Sequence, residues 1–358
     1  MRATRKYPIL LVLSVFLMSA CYGVVQPADP DLIPEARAVL HYLESIYGKQ
    51  TLSGISGTKN AEAIRQETGK DPAIVAIDLS GWNSPTWGKT YTPVVQGYIN
   101  AVKATWEKGS IVSMQFHWKH PLKPDGTAWV GKHGNGPPSG PYDMAAATKP
   151  GTPERKAFME DLAKHADYLQ QLAQARIPVL WRPFHEIDGG WFWWTDKEHP
   201  ENTAEMWRAM FNYLVKERKF HNLIWVYSAG LHANAKGKDV AQVEYRKRFY
   251  PGDAYVDISG IDIYPNTYFG WGKPQEDTYQ KAWDIMRQVT PNKMLALCEG
   301  EAIPNPDLMA KDGPKWLYCL PWWGPGKAHP AEWIKKTYTH EFVITRDELP
   351  DLKIKGRQ

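Results

Sequence analysis

Eight short apolar runs recur along the chain: Thr51–Ser56, Ala73–Asp78, Ile111–Trp118, Pro178–Glu186, Leu223–Ser228, Val256–Tyr264, Met294–Glu299 and Leu317–Trp323. They are rich in Val, Ile and Leu and lack strict polar alternation, the pattern of parallel strands buried on both faces. Amphipathic stretches lie between them. Phe158, Leu162, Ala166, Leu169 and Leu172 recur at three- and four-residue steps, which predicts a helix with one apolar face. Thr152-Pro153 opens it as a cap followed by a first-turn proline. Met206, Met210 and Leu214 mark a second helix, and Trp283, Met286 and Val289 a third. Eight strand–helix units predict an α/β fold, a single-domain (β/α)8 TIM barrel. A doubly wound open sheet is the alternative, but no G-x-G-x-x-G follows any of the strands.

A barrel concentrates its chemistry at the C-terminal ends of its strands and in the loops that follow. The third run carries Gln115-Phe116-His117-Trp118 into a loop of about thirty residues, Lys119–Gly151, a length that is usually functional in a compact domain. The fourth ends in His185-Glu186 and the sixth in Asp262-Ile263-Tyr264. The seventh ends in Glu299, with Glu301 just beyond, and the eighth in Trp322-Trp323.

The segment from Trp181 to Trp194 is the most informative. An apolar strand runs into Arg182, His185 and Glu186, then a Gly-Gly turn and four aromatics. Burying such polar groups is costly unless they pair, so a structural ion pair under the barrel rim is one reading. A second buried strand ending in an acid, Met294–Glu299, favours another. It comes three strand–helix units and 113 residues after Glu186, so the two acids face each other across the barrel mouth. Carboxyl groups about 5–5.5 Å apart suit a retaining glycosidase, and a gap of about 6.5–9.5 Å an inverting one. Arg182 and Tyr264 are placed to keep one acid ionised by direct hydrogen bonds.

Composition adds to this picture. There are 17 Trp and 18 Tyr, many in expected loops, where flat rings are read as platforms for the apolar faces of sugars rather than as core. The formal charge is +4, and a chain beginning at Cys21 carries +1. That leaves no basic surface for nucleic acid and suits an uncharged substrate.

These residues carry a resemblance. Arg-Pro-Phe-His-Glu at 182–186 with Trp-Phe-Trp-Trp at 191–194, and Ala-Leu-Cys-Glu at 296–299, resemble the strand-four and strand-seven motifs of glycoside hydrolase family 26. This is a mainly β-mannanase family in the clan of retaining (β/α)8 glycosidases, and the likeness runs from about Thr51 to Trp323. It implies that Glu186 is the acid/base and Glu299 the nucleophile, with Arg182 and Tyr264 positioning the latter. It implies that His117, His185, Trp191 and one of Trp322 or Trp323 line the central sugar subsites, and that Trp129 or another loop aromatic stacks a further sugar. The substrate implied is β-mannan or a manno-oligosaccharide, with β-1,3-xylan and mixed-linkage β-glucan as alternatives, and no metal or cofactor. Two departures stand out. Ile187-Asp188-Gly189 replaces the usual Met-Asn-Gly, and Glu301 replaces a Gly, putting a second acid beside Glu299. Glu299 is the expected nucleophile because it directly ends the apolar run.

Residues 1–20 read as a signal: a basic start, an apolar run too short to span a bilayer, then small residues before Cys21. The stretch resembles a bacterial lipoprotein signal, with Met18 where Leu is usual. It implies lipid on Cys21, a tether over 21–31, a catalytic domain over 32–358, and an exported monomer in the periplasm or on the outer membrane that meets membrane only through its anchor; an ordinary secretory signal cut nearby, giving a freely secreted protein, is the alternative. Cys298 and Cys319 are read as buried thiols on neighbouring strands rather than a disulfide. Two other functions fit parts of the pattern. A metal-dependent hydrolase would gather His117, His120, His185 and Glu186 around an ion, and a non-catalytic sugar-binding lipoprotein would not need opposed carboxylates.

Overall fold

The computed structural model describes residues 26–79, 93–123, 125–133, 138–230, 243–264 and 273–353. The expected signal and Cys21 lie outside the described residues. Eight parallel strands form the barrel: β1 (Thr51–Ser56), β2 (Ile74–Asp78), β3 (Ile111–Gln115), β4 (Val179–Arg182), β5 (Leu223–Gly230), β6 (Ile258–Ile263), β7 (Met294–Gly300) and β8 (Tyr318–Pro321). Each pairs with the next, and β1 closes the sheet by pairing with both β8 and β2. A two-residue strand, β9 (Val343–Ile344), adds to β1 from outside. Every residue of β1–β8 is buried, as their unbroken apolar runs require.

The helix Pro153–Gln174 starts where its cap predicts. Thr152 Oγ1 accepts from Arg155 N at 3.2 Å, and Phe158, Leu162, Ala166, Leu169 and Leu172 form its buried face. Helices Pro200–Phe211 and Gln280–Val289 bury Met206, Met210, Met286 and Val289 in the same way.

Strands β3 and β4 stop well short of their apolar runs. β3 ends at Gln115, and Trp118 N bonds Phe116 O at 2.9 Å in a tight turn with His117 at its tip. β4 ends at Arg182 because Pro183 has no N–H for the ladder, and Phe184 and Glu186 then adopt φ values of 47° and 51°. Glu186 therefore sits in a turn beyond the strand rather than on it.

The aromatic run after β4 is mostly core, not binding surface. Phe192, Trp193 and Trp194 are buried, and Trp193 meets Trp118 edge-on at 5.6 Å between ring centroids. Trp193 Nε1 donates to Trp118 O at 2.6 Å, and Trp118 Nε1 to Asp161 Oδ2 at 2.6 Å. Large rings are used inside where their N–H groups find acceptors. The long loop after β3 is stitched to this cluster: Val130 N bonds Trp191 O at 2.8 Å and Trp193 N bonds Ala128 O at 3.0 Å. Within the stretch read as a tether, Ala28 and Asp29 are buried. Ala28 N bonds Asp257 Oδ1 at 2.7 Å and Asp29 pairs with His221 at 2.9 Å, at the N-terminal end of the barrel. Cys298 and Cys319 are free, buried thiols, both pushed up to about 12 by burial.

Candidate active site

The site begins with one buried cation. Arg182, the last residue of β4, is 1% exposed and reaches across the barrel to two acids. Its Nη1 donates to Asp262 Oδ2 at 2.8 Å, and its Nη2 to Glu299 Oε1. Burial disfavours the charged guanidinium, but Asp262 and Glu299 outweigh it and push its pKa well above the ordinary value. The other oxygen of Glu299 accepts from the Tyr264 hydroxyl at 2.6 Å. Both oxygens of Glu299 are thus held, one by a cation and one by a phenol, which fixes the carboxylate's plane.

The backbone contributes to its aim. β6 and β7 pair in simple register up to Ile261 and Leu297, then Asp262 pairs with Glu299 and Cys298 is skipped. The pairing of β7 with β8 slips over the same residues. A bulge of this kind re-aims the side chain that follows it. Burial, opposed by Arg182 and reinforced by Glu299 and Glu186, pushes Asp262 well above the ordinary carboxylate range. Ser228 donates to its second oxygen at 2.7 Å.

Glu186 faces this group from the opposite side. One oxygen each of Glu186, Asp262 and Glu299 lie within 4.8 Å of one another. The left-handed backbone at Glu186 is a strained conformation that costs about 1–3 kcal/mol. Several bonds hold the turn: Gly189 N to Glu186 O at 2.9 Å, Ile187 N to Ser228 O at 3.1 Å, and Gly230 N to Asp188 Oδ1 at 2.7 Å. Asp188 also pairs with buried Arg246. Trp191 folds back over the turn, and its Nε1 donates to Glu186 Oε2 at 2.6 Å. Two glycines make room for it. A Cβ on Gly189 would lie 2.1 Å from the Trp191 ring, and one on Gly230 would lie 3.0 Å from both that ring and Glu186 Cβ.

His117 and His185 meet at the floor, Nε2 to Nε2 at 3.2 Å. Both lie in turns beyond their strands, so His185 and Glu186 can face the same cavity although they are neighbours in sequence. Burial, with His117 and Arg182 nearby, holds His185 well below the usual imidazole range. His120 does not join them. Its Nδ1 accepts from Leu122 N at 3.2 Å and its Nε2 contacts Pro141 O at 3.3 Å. Among the described residues, the groups whose atoms converge as metal ligands are Asp29, Asp31 and His221, and the carboxylates of Glu186, Asp262 and Glu299. The four-residue His/Glu cluster weighed for a metallohydrolase is therefore not assembled.

Trp322 stands edge-on to His117 at 5.9 Å between centroids, and Trp323 edge-on to Tyr264 at 5.3 Å, so the pair at the end of β8 flanks the cavity. Trp129 reaches it less directly: its ring is stacked on His133 at 3.7 Å and tilted against Phe192 at 4.6 Å. Glu301 is buried past the end of β7, where burial first and the charge of Glu301 second push the Tyr279 hydroxyl well above the ordinary phenol range. Arg182 and Tyr264 hold Glu299 instead. Sequence reasoning placed Asp262 at the end of the sixth run without giving it a role, and gave none to Asp78 or the Asp188–Arg246 pair. The first two end or nearly end strands, so the barrel rule that singled out Glu299 also applies to them.

The family model described as Glycosyl hydrolase family 26 matches residues 28–348. The mannan endo-1,4-β-mannosidase of Thermothelomyces thermophilus is 34% identical over 334 residues, covering 90% of this chain and 62% of the relative. The chain thus spans about three fifths of that fungal protein's length. A mannan endo-1,4-β-mannosidase of Bacillus subtilis is 28% identical over 377 residues and covers 96% of each chain. Among solved structures, a β-mannanase from a symbiotic protist of the termite Reticulitermes speratus, complexed with gluco-manno-oligosaccharide, superposes with a TM-score of 0.76 at 30% identity. It covers 90% of this chain and 97% of that one.

Proposed function

Because the chain belongs to glycosyl hydrolase family 26, we propose that it is a retaining glycoside hydrolase cleaving β-1,4-mannosidic linkages in mannan, glucomannan or galactomannan. One observation carries the mechanism: a carboxylate held on both oxygens by Arg182 and Tyr264, with an oxygen of Glu186 within 4.8 Å. Carboxyl groups whose nearest oxygens come this close suit a retaining pair, set at about 5–5.5 Å, better than an inverting pair that must leave room for a water. Glu299 attacks the anomeric carbon while Glu186 protonates the departing glycosidic oxygen. Glu186 then takes a proton from water, which attacks the mannosyl-enzyme and releases Glu299. Arg182 and the Tyr264 hydroxyl receive the charge that returns to Glu299 when the ester breaks. Trp191 orients Glu186, and Trp322, Trp323, His117 and His185 border the space where the sugar at the cleavage point must lie.

Purified protein is incubated with glucomannan, galactomannan, β-1,3-xylan and lichenan, and the products are sized. Release of oligosaccharides from the mannans is expected. No product from either mannan would reject the substrate, and hydrolysis of only the xylan or lichenan would reassign it. Export follows from the first twenty residues as an inference of the same kind: cleavage before Cys21, lipid on its thiol, and the barrel carried as a monomer at the periplasmic or outer-membrane surface. Mass spectrometry of the mature N-terminus tests the anchor, and an unmodified Cys21 would reject it.

A further inference from the structure

Asp78 ends β2, and nothing in the mechanism above uses it. It is 8% exposed, and His117 and His185 are 4% and 1% exposed. Its Oδ2 meets His117 Nδ1, and its Oδ1 accepts the His117 backbone N–H at 3.3 Å. The far nitrogen of His117 meets His185 Nε2 at 3.2 Å. The three side chains form one line from the end of β2, through the turn after β3, to the residue preceding Glu186.

The number of hydrogens on that line is constrained. An ionised carboxylate only accepts, so the bond to Asp78 puts a hydrogen on His117 Nδ1. Between the two Nε2 atoms there is room for one hydrogen. If it belongs to His117, that ring is an imidazolium, and His185 must carry its own hydrogen on Nδ1. That atom is buried and has no hydrogen-bond partner among the described residues. An orphaned buried donor is costly. If the hydrogen belongs to His185, both rings are neutral and every N–H has an acceptor.

We propose that Asp78 is a positioning residue that sets the tautomer of His117, and through it the ring of His185 and the turn carrying Glu186. His117 then presents a bare Nε2 as acceptor, and His185 donates its Nε2–H to it. Locking the His185 ring matters because Phe184 and Glu186, on either side of it, both hold left-handed backbone. Such strain persists only where surrounding contacts over-determine it. Without Asp78, His117 can place its hydrogen on Nε2. Two N–H groups then oppose each other, and the His185 ring must turn.

The inference rests on the glycan-cleaving reading only for its kinetic arm. The spectroscopic arm needs no substrate, so a failure of the proposed activity and a failure of this inference are distinguishable. The protein is labelled with ¹⁵N-histidine, and ring tautomers are read from long-range ¹H–¹⁵N correlations at pH 8, with His117→Gln and His185→Gln used for assignment. Wild type is expected to show His117 protonated on Nδ1 alone and His185 on Nε2 alone. Asp78→Ala is expected to shift His117 toward Nε2–H and to lower kcat/KM on glucomannan by about 10- to 100-fold. Asp78→Asn keeps an acceptor oxygen and is expected to recover most of that loss. A structural role alone would lower thermal stability, leave the tautomers unchanged and give Asp78→Asn no advantage. A wild-type His117 protonated on Nε2 alone, or doubly protonated, overturns the proposal. If Asp78→Ala does not fold, the wild-type spectrum and Asp78→Asn still decide it.

Discussion

Replacing Tyr264 by Phe removes one oxygen and leaves the ring against Trp323. The lost group donates to Glu299 Oε2 at 2.6 Å from a buried position. Hydrogen bonds to charged acceptors contribute about 1.5–3 kcal/mol, and a 1.4 kcal/mol change is about tenfold in rate. Arg182 still holds Oε1, so the lower half of that range applies and the expected effect is about 10- to 40-fold. Its direction depends on the step. A phenol bonds an ionised carboxylate more strongly than an ester oxygen, so the bond weakens as Glu299 attacks and strengthens as Glu299 leaves. The variant should therefore be slowed mainly in hydrolysis of the mannosyl-enzyme. With a dinitrophenyl β-mannobioside, kcat and KM should fall together while kcat/KM changes less, and a pre-steady-state burst should appear. Quenched samples should contain enzyme heavier by the glycosyl group. If kcat falls less than twofold, or falls with KM unchanged and no burst, Tyr264 does not support departure of Glu299 in the way its geometry implies.

Three other outcomes follow from the same geometry. Glu299→Ala should abolish hydrolysis with the fold intact, and azide, an anion matched to the space between Arg182 and Tyr264, should restore turnover of an activated aryl mannoside. The same rescue in Glu301→Ala would move the nucleophile to Glu301. Gly230→Ala should lower kcat about tenfold or more, because its Cβ comes within 3.0 Å of Glu186 Cβ and the Trp191 ring. Unchanged kinetics would show that the contact is easily relieved. His165 is buried with Nδ1 bonded to Asp161 O at 2.6 Å, and burial takes it from 6.5 to about 4. The native state then binds the proton more weakly than the unfolded chain. Stability from this residue is complete above pH 6.5 and is lost as pH falls toward 4, by about 3 kcal/mol. Chemical unfolding of wild type and His165→Gln across pH 4–7 should show the difference, and parallel curves would refute it.

Much of the site was legible in the chain because a barrel converts order into place. An apolar run ending in a polar residue has one position in a closed parallel sheet, so Arg182, Tyr264 and Glu299 could be named before any coordinate was known. What was illegible was local direction. The aromatics at 192–194 look like a binding wall in sequence. They are core because the loop at 128–130 pairs with them and the carbonyls of Trp118 and His185 accept the indole N–H groups of Trp193 and Trp194. Asp78 was passed over because an acid ending a strand is unremarkable until a histidine from the next strand's turn is seen against it.

The eight-stranded closure and the opposition of two carboxylates were determined by the sequence alone, through hydrophobic periodicity and the acids at strand ends. The turn that swings Glu186 off β4, the bulge that re-aims Glu299, and the sharing of Arg182 between Asp262 and Glu299 were decided only in the tertiary structure. Each depends on contacts between residues far apart in the chain, and strained backbone or a buried charge is tolerable only once those contacts exist.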